Sequence, residues 1–250
     1  MPLIADDILM ARTSIIILGI ILVTFFSAVM AILVSFVDTG GLTTHKVVRI
    51  WAKYILAISN IRVTVKGLSN LKPDRSYIYM PNHMSNFDIP VLQAYLPVQF
   101  RWLAKAELYK IPIFGYAMKR AGYISIDRSD RKSAIESLNR AAKIIRNGVS
   151  VVIFPEGTRS RTHHIQPFKK GGFFLAVDSG VPIIPIIIHG TEQIMPKKQI
   201  LIKPGNVTLE ISKPIDSSDY NRKTKDDLME KVRDIILISY EKNKKNGSLC

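Results

Sequence analysis

A chain of 250 residues is long enough for one sizeable core, and 47% hydrophobic against 22% charged residues excludes a disordered chain. Thirty-five Lys and Arg against twenty Asp and Glu leave a formal charge of +15, which suits an anionic partner: nucleic acid, an acidic membrane surface or a phosphorylated substrate. The single cysteine, Cys250, excludes an intramolecular disulfide and a cysteine-based metal cluster.

Residues 13–37 contain no charge and are dominated by Ile, Leu, Val, Phe and Met. As a helix they would be about 37 Å long, enough to cross a hydrocarbon core of roughly 30 Å. Asp6 and Asp7 precede the run, Arg12 is the only basic residue there, and the run is overlong for the apolar region of a signal peptide. Next, residues 43–58 place Val47, Val48, Trp51, Tyr54, Ile55 and Ile58 on one side of a helical wheel and Lys46, Arg49 and Lys53 on the other. Such a helix can lie in an anionic membrane interface or pack on a domain core. The apolar run before it favours a two-helix membrane anchor over residues 1–60, and length alone does not decide between spanning and lying within one leaflet.

From residue 61 to 241 short apolar runs alternate with helical ones. Strands are expected at residues 62–66, 76–80, 99–103, 123–126, 150–154, 183–188 and 207–211. A helix is expected at residues 130–147, opened by Asp130 and stopped by Gly148, and another after Thr224, with an apolar series from Leu228 to Ile238. The alternation predicts an α/β domain with a mixed central sheet flanked by helices. Residues 242–250 read as a flexible tail.

Two loops carry chemistry. Strand 76–80 runs into Pro81, Asn82, His83, Met84, Ser85, Asn86, Phe87 and Asp88, a polar loop at a strand end, where α/β sheets place ligand sites. A His with an Asp five residues on can form a base and its orienter, although the spacing alone is weak. Strand 150–154 runs into Pro155, Glu156, Gly157, Thr158, Arg159, Ser160 and Arg161, with Phe168, Lys169, Lys170, Gly171 and Gly172 beyond. Glycine permits close backbone approach and arginine offers a fork of donors that fits a phosphate. Because this cluster caps a core strand, it reads as an anion site in preference to a solvated charge run.

Asn82-His83-(four residues)-Asp88 together with Phe154-Pro155-Glu156-Gly157-Thr158-Arg159 resembles the glycerolipid acyltransferase family, and within it the 1-acyl-sn-glycerol-3-phosphate acyltransferases. Gly122-Tyr123-Ile124-Ser125-Ile126-Asp127-Arg128 is similar to the family's second block and Val181-Pro182-Ile183-Ile184-Pro185 to its fourth, all in order. Trp102 to Leu108 also matches, with Lys105 where the family often carries a substrate-binding lysine. The resemblance implies His83 as general base and Asp88 as its orienter, with direct attack of an acceptor hydroxyl on a thioester and no acyl-enzyme. No Gly-x-Ser-x-Gly elbow opposes this. It implies Arg159 and Lys105 as holders of the acceptor phosphate, with Arg128 a third candidate. Glu156 and Gly157 are implied to shape the glycerol site and Thr158 to bind substrate, although Glu156 can equally be a structural partner of Arg159.

The implied reaction acylates 1-acyl-sn-glycerol 3-phosphate (lysophosphatidic acid) to phosphatidic acid. Acyl-CoA or an acyl carrier protein thioester serves as co-substrate, and no cofactor is expected. Glycerol 3-phosphate or another lysophospholipid is the alternative acceptor, and a non-catalytic membrane lipid-binding protein is the alternative class. Membrane lipids are expected partners, with the active site at the cytoplasmic face. His163-His164 lacks the further ligands a metal site needs, and His189 reads as a polar strand end. Aromatics are not interleaved with the basic clusters, so nucleic acid is not an expected partner.

Overall fold

The computed structural model describes residues 2–38, 40–72, 74–127, 129–162 and 164–247. The expected strands all form, as β1 (Ile61–Lys66), β2 (Ile78–Pro81), β3 (Arg101–Lys105), β4 (Ile124–Ile126), β5 (Val151–Val152), β6 (Ile183–His189) and β7 (Gly205–Ile211). They make one seven-stranded sheet in the order β1-β7-β6-β2-β5-β3-β4. Every neighbouring pair is parallel except β6 with β7, so the sheet is mixed. Strands of a parallel sheet are covered on both faces, which is why β2 and β6 are near-continuous apolar runs.

The period-two alternation of these strands divides the core. Tyr77, Tyr79, Ile184, Ile186 and Ile188 belong to one cluster, and Ile78, Met80, Ile183 and Ile187 to the other. The first cluster is covered by α1 (Pro2–Val34), α2 (Leu42–Ile58) and α3 (Asp88–Tyr95), the second by α5 (Arg131–Arg146), α6 (Gly171–Ser179) and α8 (Lys225–Gly247). Two shorter helices, α4 (Phe114–Arg120) and α7 (Thr191–Ile194), and two 3-10 turns, Leu68–Asn70 and Ala106–Lys110, complete the described elements. Asp130 caps α5 by accepting from the backbone N–H of Lys132 and Ser133, as its sequence predicts. The helices missed in the sequence are short, and α3 is buried nearly all round, so it lacks an amphipathic period.

The N-terminal helices differ from expectation in three ways. Helix α1 starts well before residue 13, because the charged Arg12 is accommodated: its guanidinium donates to the carbonyls of Ile202 and Ser59, both at 3.0 Å. At the far end Arg120 donates to the Ser35 hydroxyl and carbonyl, each at 2.8 Å, and lies 4.6 Å from the Phe36 ring centre. Both ends of the apolar stretch are therefore tied to the α/β domain, while Ile15, Leu18, Leu22, Phe26 and Leu33 stay exposed along its outer side.

On α2 the expected basic face is split. Lys46 and Lys53 are exposed, but Arg49 turns inward and donates to the carbonyls of Ala94 and Leu96 at 3.0 and 3.3 Å. Those carbonyls lie at the C-terminal end of α3, which attracts a cation and has no intrahelical donors to satisfy it. Tyr54, expected on the apolar side, is 57% exposed. Finally, Ile16, Ala52, Ile55 and Leu56 share one core cluster with the sheet, so a boundary at residue 60 separates no independent packing units. Helix α8 likewise runs through residues 242–247, where a flexible tail was expected, although the two Asn and the Gly of that stretch are poor helix formers. Residues 248–250 of that expected tail, Cys250 among them, lie outside the described residues.

Candidate active site

Strand β2 is central, and its carboxyl end delivers the loop that carries His83. Asn82, fully buried, continues the sheet with its side chain: the amide donates to the Ile188 carbonyl at 3.0 Å and accepts from the Ile188 N–H at 2.7 Å. The loop then folds back so that Asp88, the first residue of α3, meets it. Asp88 is 0% exposed. Its Oδ2 accepts from the N–H of Met84 at 2.7 Å and of Ser85 at 2.9 Å, and lies 2.8 Å from His83 Nδ1. Its Oδ1 accepts from the Thr191 hydroxyl at 2.5 Å.

A carboxylate in that position makes Nδ1 the protonated nitrogen and leaves Nε2 able to accept a proton. The imidazole, 13% exposed, stacks on Phe154 with ring centres 3.8 Å apart, and Phe154 stacks on Trp102 at 5.8 Å. The indole N–H is held by Gln93 at 2.9 Å, so the whole aromatic stack is fixed.

The second loop leaves β5 and turns through Gly157, whose φ of 72° suits glycine. Glu156 is 2% exposed. One of its oxygens accepts the backbone N–H of His83 at 2.7 Å and the other that of Gln166 at 2.8 Å. The N–H of Ser160 donates to the His83 carbonyl at 2.8 Å, so the second loop grips the His83 peptide from both sides. Burial pushes the Glu156 carboxyl up to about 7 against the lowering effect of its two backbone donors. Glu156 is thus a clamp between the two loops, and pairs with backbone, not with Arg159.

The other sequence candidates fall in two groups. Lys105, at the end of β3, and Gly157 line one cavity with His83. Lys105 is 58% exposed and pairs with Glu107 at 2.7 Å. Thr158 and Arg159 instead meet Lys197, whose ammonium donates to the Thr158 hydroxyl at 3.0 Å and the Arg159 carbonyl at 2.6 Å. Arg128 lies outside the described residues.

The cavity has a volume of about 250 Å³ and a mostly apolar wall. It runs from His83 past Trp102 and Phe154 to Ala28 and Ala31 of α1 and Ala117 of α4. Small side chains on these helices line that end of the cavity.

Sequence reasoning missed Thr191, Lys197 and the α1 wall. A local hint for Thr191 exists, because Gly190 with φ 95° ends β6 and opens α7, but nothing local points it at Asp88. Of the doubtful histidines, His163 lies outside the described residues and His164 is exposed beside Glu241 at 3.9 Å. Among the described residues no group of three potential metal ligands is assembled. His189 faces Glu210 at 3.4 Å and stacks on Tyr240.

Residues 62–189, which include both loops, match the family described as Acyltransferase. The human 1-acyl-sn-glycerol-3-phosphate acyltransferase alpha is 30% identical over 223 residues, 89% of this chain and 79% of the human one. A chloroplastic 1-acyl-sn-glycerol-3-phosphate acyltransferase from Arabidopsis thaliana is 36% identical over 176 residues, 70% of this chain, and this chain spans about half the length of that and similar chloroplastic relatives. The crystal structure of the 1-acyl-sn-glycerophosphate (LPA) acyltransferase PlsC from Thermotoga maritima superposes with a TM-score of 0.80 at 27% identity, covering 98% of both chains. The chain belongs to the acyltransferase family.

Proposed function

We propose that the protein transfers a fatty acyl group from an acyl thioester to the free hydroxyl of 1-acyl-sn-glycerol 3-phosphate, forming phosphatidic acid. The observation that carries this reading is the 2.8 Å contact of His83 Nδ1 with a fully buried Asp88 beside an apolar cavity. His83 Nε2 takes the proton of the acceptor hydroxyl as its oxygen bonds to the thioester carbonyl. Asp88 stabilises the imidazolium that results. Collapse of the tetrahedral adduct breaks the carbon–sulfur bond, and the imidazolium returns its proton to the departing thiolate. The thioester supplies the acyl group, so the step balances without a further reagent.

The cavity receives an acyl chain. Arg159 and Lys105 hold the acceptor's phosphate, with Arg128 a third cation, and Gly157 and Thr158 border the glycerol. Glu156 acts through the His83 backbone. The donor is acyl-CoA or an acyl carrier protein thioester. Helix α1, with a mean hydropathy of 2.9 over its best stretch, rests its exposed side in a membrane, and α2 adds Lys46 and Lys53 toward anionic headgroups. Because both ends of α1 hold the domain, the helix lies along the bilayer surface, and the excess of Lys and Arg in the domain favours the cytoplasmic face. Replacing Leu18, Leu22 and Phe26 by Gln should then release the folded protein from vesicles, and unchanged vesicle binding would refute this placement.

Thiol release measured over a matrix of donors and acceptors tests the activity. Lysophosphatidic acid should be the fastest acceptor. Equal rates with glycerol 3-phosphate would reassign the acceptor, and no acceptor-dependent release would remove the reading.

A further inference from the structure

The family match ends at residue 189, yet the next segment closes the site. Thr191 donates to Asp88, the Ser85 hydroxyl donates to the Met195 carbonyl at 2.8 Å, and Ser85 forms an antiparallel bridge with Pro196. Residue 197 is therefore held in register with the His83 loop. Its ammonium is held in turn by the loop of Arg159, through the two contacts to Thr158 and Arg159.

Around it the charge is one-sided. Arg159, Arg161 and Lys198 are its charged neighbours, and among the described residues none of these four cations forms an ion pair with a carboxylate. Desolvation, and then repulsion from Arg161, Arg159 and Lys198, holds the Lys197 ammonium below the usual lysine range. Lys198 has a φ of 75°, a conformation that costs a non-glycine residue energy and persists where the surroundings enforce it. Mutually repelling cations without a counter-ion are unfavourable alone and are relieved by an arriving dianion.

We propose that Lys197 is a phosphate-binding residue of the acceptor site, which together with Arg159 and Arg161 recognises the acceptor's phosphomonoester. Two of its three N–H donors fix its place, and the third is available to a phosphate oxygen. The inference rests on the acyltransferase reading for its acceptor but not for its anion.

The full chain in lipid nanodiscs is titrated with glycerol 3-phosphate, and acyl transfer is followed with lysophosphatidic acid and with monoacylglycerol, which lacks the phosphate. Lys197→Gln should weaken glycerol 3-phosphate about tenfold and raise the apparent KM for lysophosphatidic acid similarly. The donor's KM should hold, the loss on monoacylglycerol should be much smaller, and Lys197→Arg should recover most of the binding. Arg161→Gln, at an exposed residue whose loss leaves the fold alone, should weaken the same ligand about threefold and keeps the test open should Lys197→Gln not fold. Unchanged binding in these variants, no binding by the wild type, or equal loss on both acceptors would overturn the proposal, the last marking a merely structural tie. Phosphomonoester binding that depends on Lys197 in a protein without acyl transfer would leave the proposal standing and remove the reaction instead.

Discussion

The two halves of the site are built on opposite principles. At His83 every polar group of the supporting carboxylate is satisfied: Asp88 is sealed from water and accepts from two backbone amides, an imidazole and a hydroxyl. At the cationic rim Arg159, Arg161 and Lys197 have no counter-ion among the described residues, and Lys105 is more than half exposed. A group that must develop charge during the reaction gains from dipoles fixed beforehand, since no reorganisation is then needed. Groups that recognise a charged ligand gain from staying unsatisfied until it arrives. On the proposed mechanism the order is thus concentrated on the proton transfer and the electrostatic tension on the cations that would meet the phosphate.

The largest expected effect tests the ordered half. His83→Ala should lower turnover by about 10² to 10⁴ with the melting temperature near wild type, measured by thiol release and calorimetry. Turnover close to wild type in that folded variant would refute a base at this position. Asp88→Asn should lose turnover comparably and stability as well, because an amide NH₂ would face donors that now meet an oxygen.

The rim should respond in binding. Arg159→Ala is expected to weaken the acceptor's apparent affinity by about 2 kcal/mol with the donor unaffected, and Arg159→Lys to recover only part. Lys105→Ala should cost less, about 0.2–1 kcal/mol, as befits an exposed side chain paired with Glu107. A defect confined to the donor would erase the distinction between the halves.

Thr191 sharpens the comparison because its hydroxyl donates to Asp88. Thr191→Val should lower kcat about tenfold, leave the acceptor's KM in place and displace the pH profile of kcat, and Thr191→Ser should restore all three. An acceptor KM effect instead would assign Thr191 to the rim.

The smallest effect concerns Glu156. Its folded-state carboxyl titrates at about 7 against 4.5 for the ordinary group, so the folded protein holds that proton more tightly than the unfolded chain. This contribution to stability is fully present below about pH 4.5 and is lost as the pH rises through about 7. Denaturation midpoints across that window should fall for the wild type and flatten in Glu156→Gln.

How much of this was readable in advance follows from the range of each interaction. The strands were legible because a sheet covered on both faces demands continuous apolar runs, and helix α5 because Asp130 caps it locally. His83 and Asp88 were legible as a pair because five residues and one turn join them. The partners of Glu156, Arg49 and Thr191 were not, since each reaches across a large sequence separation: Thr191 meets Asp88 at 103 residues, Glu156 meets His83 at 73 and Arg49 meets Ala94 at 45. Helix α1 announced its apolarity but not that Ala28 and Ala31 wall the cavity beside His83. By itself the sequence determined the strands, helix α5 and the two loops that carry His83 and Glu156, all properties of neighbouring residues. Only the tertiary structure decided which side chains support His83 and which cations gather around Lys197, because distant segments meet according to how the sheet orders its strands, and no local period records that order.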